Sequence, residues 1–332
     1  MAAISVSHLT RRFTTHIKEP GLSGALRGLF HRRYVTKTAV EDLSFRIEPG
    51  EFVGFLGPNG AGKTTTLKIL SGVLHPTSGT AEVLGHVPWQ REPAWQKRFS
   101  LVLGQKNQLW WDLPAYDSFA LNRDIYDVPE AAFRLKVAEL SELLNLKALL
   151  HTPVRKLSLG ERMKCEIAAS LLHSPEVLFL DEPTIGLDVV SQARIRDFLR
   201  DYNARTGITV ILTSHYMTDI QALCKRVIVI DEGRAMFDGE LRELVARVAH
   251  RRCIRLTLQR PVVESELGQL RTTGNDVENN GTQLTLTVPH DQVAEQVARL
   301  LQTLPVADLA VEDIGIDSVI RDLFTRSSGP AA

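Results

Sequence analysis

The sequence predicts an α/β chain: a sheet covered by helices over residues 1–244, then a small α+β domain over 245–332. Three observations carry this. Short apolar runs alternate with stretches of helical spacing up to about residue 240. A glycine-rich loop, GPNGAGKTT, joins one apolar run to a helical stretch. Beyond about residue 245 the pattern turns to strict alternation of apolar and polar residues, followed by one amphipathic helix.

Taken in order, MAAISVSHLTRRF alternates like a strand and then turns basic. GLSGALRGLFHRRY spaces Leu22, Leu26, Leu29 and Phe30 helically beside Arg27, Arg32 and Arg33. Such a basic amphipathic helix suits a membrane surface or a partner groove, or equally a lid on its own domain. EFVGFLG is a short strand ending in glycine, and TTTLKILSGVL a helix. Residues 113–173 read as an inserted helical subdomain, with PEAAFRLKVAELSELLNL its clearest amphipathic helix. In LWWDLP, Trp110 and Trp111 are expected to face apart, one into the core and one outward. EVLFLDEP and ITVILTSH are continuous branched runs, the mark of strands buried on both faces. RVIVIDEGRAMFDG is a hairpin turning at DEG. IRLTLQ and QLTLTV are half-buried strands separated by the polar loop RTTGNDVENNG. DQVAEQVARLLQTL places Val293, Val297, Leu300, Leu301 and Leu304 on one stripe.

Lys plus Arg equals Asp plus Glu at 39 each, so no basic excess points to a nucleic-acid partner. Three scattered cysteines, Cys165, Cys224 and Cys253, form no metal or disulfide pattern and suit a reducing cytosol. The N-terminus is no signal peptide, and no apolar run approaches the ~20 residues of a membrane span. A membrane role would come through a partner.

GPNGAGKTT (Gly57–Thr65) matches the phosphate-binding pattern in its proper strand-to-helix context. Gly57, Gly60 and Gly62, with Pro58, Asn59 and Ala61 between them, let backbone N–H groups turn toward a β-phosphate. Lys63 then reaches the β and γ oxygens, and the Thr64 hydroxyl ligates magnesium. VLFLDEP ends a strand in Asp181, a magnesium ligand, followed by Glu182, placed to act as general base on water. His215 ends the next strand, where it can donate to a γ-phosphate. In RKLSLGERMKCEIAASLL, the Ser158 hydroxyl, the Gly160 N–H and a helix N-terminus favour an anion. Ser158 and Glu161 also match a capping box, and both readings can hold.

Together these motifs resemble the nucleotide-binding subunit of ABC transporters, over residues 1 to about 240. GPNGAGKTT is similar to the Walker A loop, Gln105 to the Q-loop glutamine, and LSLGE to the signature motif. VLFLDEP resembles Walker B with its catalytic glutamate, Gly186–Asp188 the D-loop, and His215 the switch histidine. The resemblance implies ATP and Mg²⁺ as ligands, with Gln105, Thr64 and Asp181 serving the metal. It implies head-to-tail pairing with a second copy or a paralogue, in which Ser158, Gly160, Glu161 and Asp188 meet the ATP of the partner. Leu159 and Glu161 depart from the family's commonest LSGGQ, and Glu161 brings a negative charge near a triphosphate. Family members stack adenine on an aromatic residue after the first strand. Phe13 and Tyr34 are both candidates, and spacing to Walker A favours Tyr34. The insert, GQKNQLWWDLP and the ending VIRDLFTR resemble ABC-2-type exporter subunits, which implies a permease partner and a cytoplasmic place on the inner face of the membrane. The rival readings are a soluble ABC ATPase acting on ribosomes or DNA, and an importer subunit.

Overall fold

The computed structural model describes residues 1–17, 33–104, 106–246, 251–261 and 276–313. It divides into two compact units, Met1–Gly239 and the remainder from Glu240.

The first unit opens with β1 (Ile4–Ile17) and β2 (Arg33–Ile47), which pair antiparallel from Ile4↔Ile47 out to Ile17↔Arg33. Of the basic amphipathic stretch expected to be helical, residues 21–32 lie outside the described residues, and Arg33 and Tyr34 instead begin β2, paired by their backbone to β1. With β4 (Ser78–Val83) on the other edge of β1, they form a three-stranded sheet. The second sheet has six strands in the order β5-β6-β7-β3-β8-β9. Here β3 is Phe52–Leu56, β5 Phe99–Leu103, β6 Val177–Asp181, β7 Thr209–Thr213, β8 Arg226–Asp231 and β9 Arg234–Glu240. From β5 through β8 the pairings are parallel. Every residue of β3, β6 and β7 is buried, as unbroken apolar runs covered on both faces require. Glu232 and Gly233, both at positive φ, make the tight turn from β8 to β9. Val53, Phe55, Phe179, Ile211 and Ile228 of the sheet pack with Leu67 and Ile69 of α1 (Lys63–Leu70) into one core.

The helices α2 (Ala115–Ile125), α3 (Glu130–Leu143) and α4 (Leu159–Leu171) occupy the stretch expected to be helical. Trp110 and Trp111 precede them in a turn, 58% and 49% exposed. The expectation that one is buried is therefore corrected. Strand alternation does not operate in a turn, and both indoles face outward. Helices α5 (Val189–Thr206) and α6 (Met217–Leu223) flank β7 in sequence.

Parallel strands put their C-terminal ends on one edge. Leu56, Asp181 and Thr213 end β3, β6 and β7, and Asp181 pairs with Thr213 across the ladder. The glycine loop after β3, the Asp181–Glu182 pair and His215 all leave the sheet along that edge, where ligands of open α/β sheets bind.

The second unit begins with the short helix α7 (Leu241–Ala246). Its antiparallel sheet runs β11-β12-β10-β13, from β10 (Arg251–Leu258), β11 (Asp276–Asn280), β12 (Gln283–Pro289) and β13 (Val306–Asp313). Helix α8 (Val293–Thr303) covers one face, and Ile254, Leu256, Leu284, Leu286 and Leu300 close its core. Two expectations change here. Leu301 is 54% exposed, because the buried stripe runs through Val293, Gln296, Val297, Leu300 and Leu304, and Leu301 lies about 100° further round the helix. DVENN, expected within a loop, forms β11, held by backbone pairing to β12 across the turn at Gly281 (φ 69°). The ending VIRDLFTR lies outside the described residues.

Candidate active site

The loop Gly57–Gly62 leaves β3 at a steep angle that only glycine tolerates at two points. A Cβ on Gly57 would sit 2.3 Å from the Ile230 carbonyl oxygen, and one on Gly62 (φ 103°) 2.2 Å from that of Ala39. Lys63 opens α1, and its ammonium donates back to the carbonyls of Gly57 (2.5 Å) and Pro58 (3.0 Å). Burial holds its pKa below the ordinary lysine range, while Glu182 and Asp181 act against that shift. The ammonium thus spans the mouth of its own loop.

Across the sheet edge, Asp181 accepts from Thr64 Oγ1 (2.8 Å) through one oxygen and from Thr213 Oγ1 (2.7 Å) through the other. A hydroxyl and a carboxylate side by side are hard oxygen donors, which suits magnesium. Among the described residues, no cluster of three acidic, histidine or cysteine side chains could cage a metal by itself.

Glu182 sits at φ 55°, strained for a side chain with a Cβ. Its N–H donates to the Thr213 carbonyl and hydroxyl, both at 3.0 Å, and its Oε1 lies 2.8 Å from His215 Nε2. Gly104, at the end of β5, donates to the Asp181 carbonyl at 2.8 Å. A Cβ there would lie 2.1 Å from the Glu182 oxygen, so only glycine fits before position 105. Gln105 itself lies outside the described residues.

Pro58, Asn59, Gly60, Ala61, Gly62, Lys63, Thr64 and Thr65 line one cleft of about 280 Å³ with Glu182, Phe13 and Lys37. The Arg11 guanidinium covers one face of the Phe13 ring at 4.6 Å. Tyr34 lies three residues further out along β2 from Lys37, is 58% exposed, and does not line this cleft. Lys37, the cross-strand partner of Phe13, escaped the sequence reading, since only the hairpin register brings it to the loop.

Ser158 caps α4 with a complete capping box. Its hydroxyl accepts from the Glu161 N–H (3.3 Å) and donates to Glu161 Oε2 (2.8 Å), which also accepts from the Ser158 N–H (2.9 Å). Those bonds from Ser158 hold the Glu161 carboxyl below its usual range. Asp188 caps α5 by accepting from the N–H (2.9 Å) and hydroxyl (2.6 Å) of Ser191. A Cβ on Gly160 would lie 2.7 Å from that Ser191 hydroxyl, so the starts of α4 and α5 abut.

Residues 40–185 match the family model described as ABC transporter, and 250–312 match that of an EvrA-like ABC transporter C-terminal domain. The linearmycin resistance ATP-binding protein LnrL of Bacillus subtilis (strain 168) is 32% identical over 306 residues, 89% of this chain and 96% of its own. The chain belongs to the ABC transporter family. It is an ATP-binding, ATP-hydrolysing subunit of that family. The daunorubicin resistance ATP-binding protein DrrA3 of Streptomyces coeruleorubidus is 33% identical, covering 86% of this chain and 89% of its own. The Nod factor export ATP-binding protein I of Burkholderia pseudomallei (strain K96243) is 37% identical over 64% of this chain and 70% of its own. The same fold recurs in an ATP binding subunit of an ABC transporter (TM-score 0.61, 21% identity, 74% of this chain and 92% of that one). It recurs also in the dimeric post-hydrolysis cassette MJ0796 bound to ADP and Pi (TM-score 0.60, 20% identity, 72% and 98%). ABC ATP-binding subunits dimerise and work with transmembrane permeases. Among the described residues of this ABC subunit, no helix is long and apolar enough to cross a membrane.

Proposed function

We propose that this ABC subunit powers an ABC-2-type exporter from the inner face of the membrane by ATP-driven dimerisation. Two observations support this: the glycine loop, Asp181, Glu182 and His215 share one sheet edge, and its relatives are named for drug resistance and Nod factor export. In this reading Lys63 leaves its loop carbonyls for the β- and γ-phosphates, and the backbone of Gly57–Thr65 cradles them. Magnesium, held by Thr64, Asp181 and Gln105 together with phosphate oxygens, would offset the developing charge. The Glu182 carboxylate takes a proton from the attacking water, and His215 steadies that carboxylate through its Nε2 contact. Phe13, braced by Arg11, offers its free face to adenine; Tyr34 remains the second candidate. Ser158, Gly160, Glu161 and Asp188 meet the nucleotide of the partner subunit, since the capped ends of α4 and α5 lie together. The exposed Trp110 and Trp111 serve the permease.

Changing Glu182→Gln removes the base and leaves the phosphate cradle intact. Hydrolysis should fall by roughly 100-fold or more, ATP binding should persist, and a dimer should accumulate with ATP on size-exclusion chromatography. A variant that stays monomeric with ATP and still hydrolyses it would refute the assignment.

A further inference from the structure

We propose that Asp219 is a positioning residue for ATP hydrolysis, fixing Glu182 and His215 relative to one another from beneath the site. Asp219 lies in the first turn of α6 and is 1% exposed. It does not line the cleft around Lys63, so it meets neither water nor phosphate there. Its carboxylate accepts from three side chains, two in the loops that follow β7 and β6 and one on α5. Ser214, immediately before His215, donates its hydroxyl to Oδ2 at 2.8 Å. Thr184, two residues past Glu182, donates its hydroxyl to the same oxygen. Arg196 of α5 donates to Oδ1 at 2.9 Å and balances the charge.

A buried carboxylate is costly unless paired and fully bonded, so the three donors hold Asp219 as firmly as it holds them. The Ser214 hydroxyl also accepts from the Tyr216 N–H at 3.0 Å, which sets the turn that carries His215. On the other arm, Gln192 of α5 donates to the carbonyls of Thr184 (3.3 Å) and Leu187 (3.2 Å). Glu182 occupies a strained backbone region, and such a conformation persists only where the surroundings over-determine it. Thr213 restrains Glu182 from the sheet side. Asp219 supplies the restraint on the outgoing side through Thr184, and it ties that restraint to the turn before His215. Breaking one arm frees the catalytic pair to drift while leaving the phosphate loop alone.

The inference rests on Glu182 and His215 as the hydrolytic pair, so Glu182→Gln is measured alongside. Thr184→Val keeps the volume and deletes one donor; Thr184→Ser restores it; Asp219→Asn weakens all three bonds. On the full chain, Thr184→Val should lower kcat about 10- to 100-fold, as small misplacements of reacting groups do. KM for ATP should stay within about two-fold, the pattern of a lost transition-state arrangement, and melting temperature should fall by only a few degrees, since Ser214 and Arg196 still bond the Asp219 carboxylate. Thr184→Ser should recover most of kcat. Should Asp219→Asn fail to fold, Thr184→Val decides alone. A folded Thr184→Val with unchanged kcat overturns the inference, as does a kcat loss that Thr184→Ser does not recover. If Glu182→Gln hydrolyses ATP normally, the reading of the site itself fails. A dead Glu182→Gln beside a fully active Thr184→Val overturns only the role of Asp219.

Discussion

Glu166, on α4, is 1% exposed, and among the described residues no donor meets full hydrogen-bond geometry with either carboxylate oxygen. Arg162, one turn earlier, approaches to 3.4 Å. Burial pushes the Glu166 pKa up to about 7; Arg162 and the Gln108 N–H act against that rise. In the unfolded chain the group titrates near the ordinary glutamate value, about 4.3. The folded state therefore binds the extra proton between those two values. Its stability is full below the lower value and is lost as pH rises through about 7. Glu166→Gln should melt above the parent protein at pH 8, by roughly 2–4 °C for each kcal/mol recovered, and the two should converge near pH 4, below the unfolded value. Thermal melts at both pH values check this; a constant difference would show that ionisation is not the cause.

The segment between β5 and α2 exposes Trp110, Trp111 and Leu113; just before them, Gln108 and Leu109 line a groove of about 490 Å³ with the exposed Val73 and Ile125 and with Phe99 and Leu101. Exposed tryptophan is costly, and tryptophan is enriched among the residues that anchor interfaces. On the proposed reading that one of the two indoles anchors the permease, replacing it with alanine should weaken docking by roughly 2 kcal/mol or more. Melting temperature and basal ATPase should change little, because neither ring is part of the core. Pull-down with the permease, run for each single variant, is the check; full capture with both removed singly would exclude an anchor. Legibility in the sequence divides along similar lines. β6 and β7 are readable because strands covered on both faces must be unbroken apolar runs. The glycine loop is readable because its turn admits few side chains. The outward pose of both tryptophans is not, since alternation assumes a strand. β11 hides behind Asp and Asn, which disfavour strands, because its order comes from the β12 backbone. Phe13 and Lys37 reach the cleft through hairpin register, and Asp219 joins partners 5 to 35 residues away through side chains alone.

At the scale of the whole molecule, the two units close separate hydrophobic cores, one around β3, β6, β7 and β8, the other between α8 and its four-stranded sheet. All the residues assigned to nucleotide lie in the first. Differential scanning calorimetry should accordingly resolve two endotherms rather than one cooperative event. Only the endotherm of Met1–Gly239 should climb with ATP, by about 2.7 kcal/mol of added stability at a hundredfold excess over Kd; a single peak moving as one would show the cores to be thermodynamically joined. The separateness of the cores has a practical consequence for measurement. The peak that ignores nucleotide becomes a built-in thermometer against which every substitution in the ATPase unit can be read within one scan, free of errors in concentration or baseline.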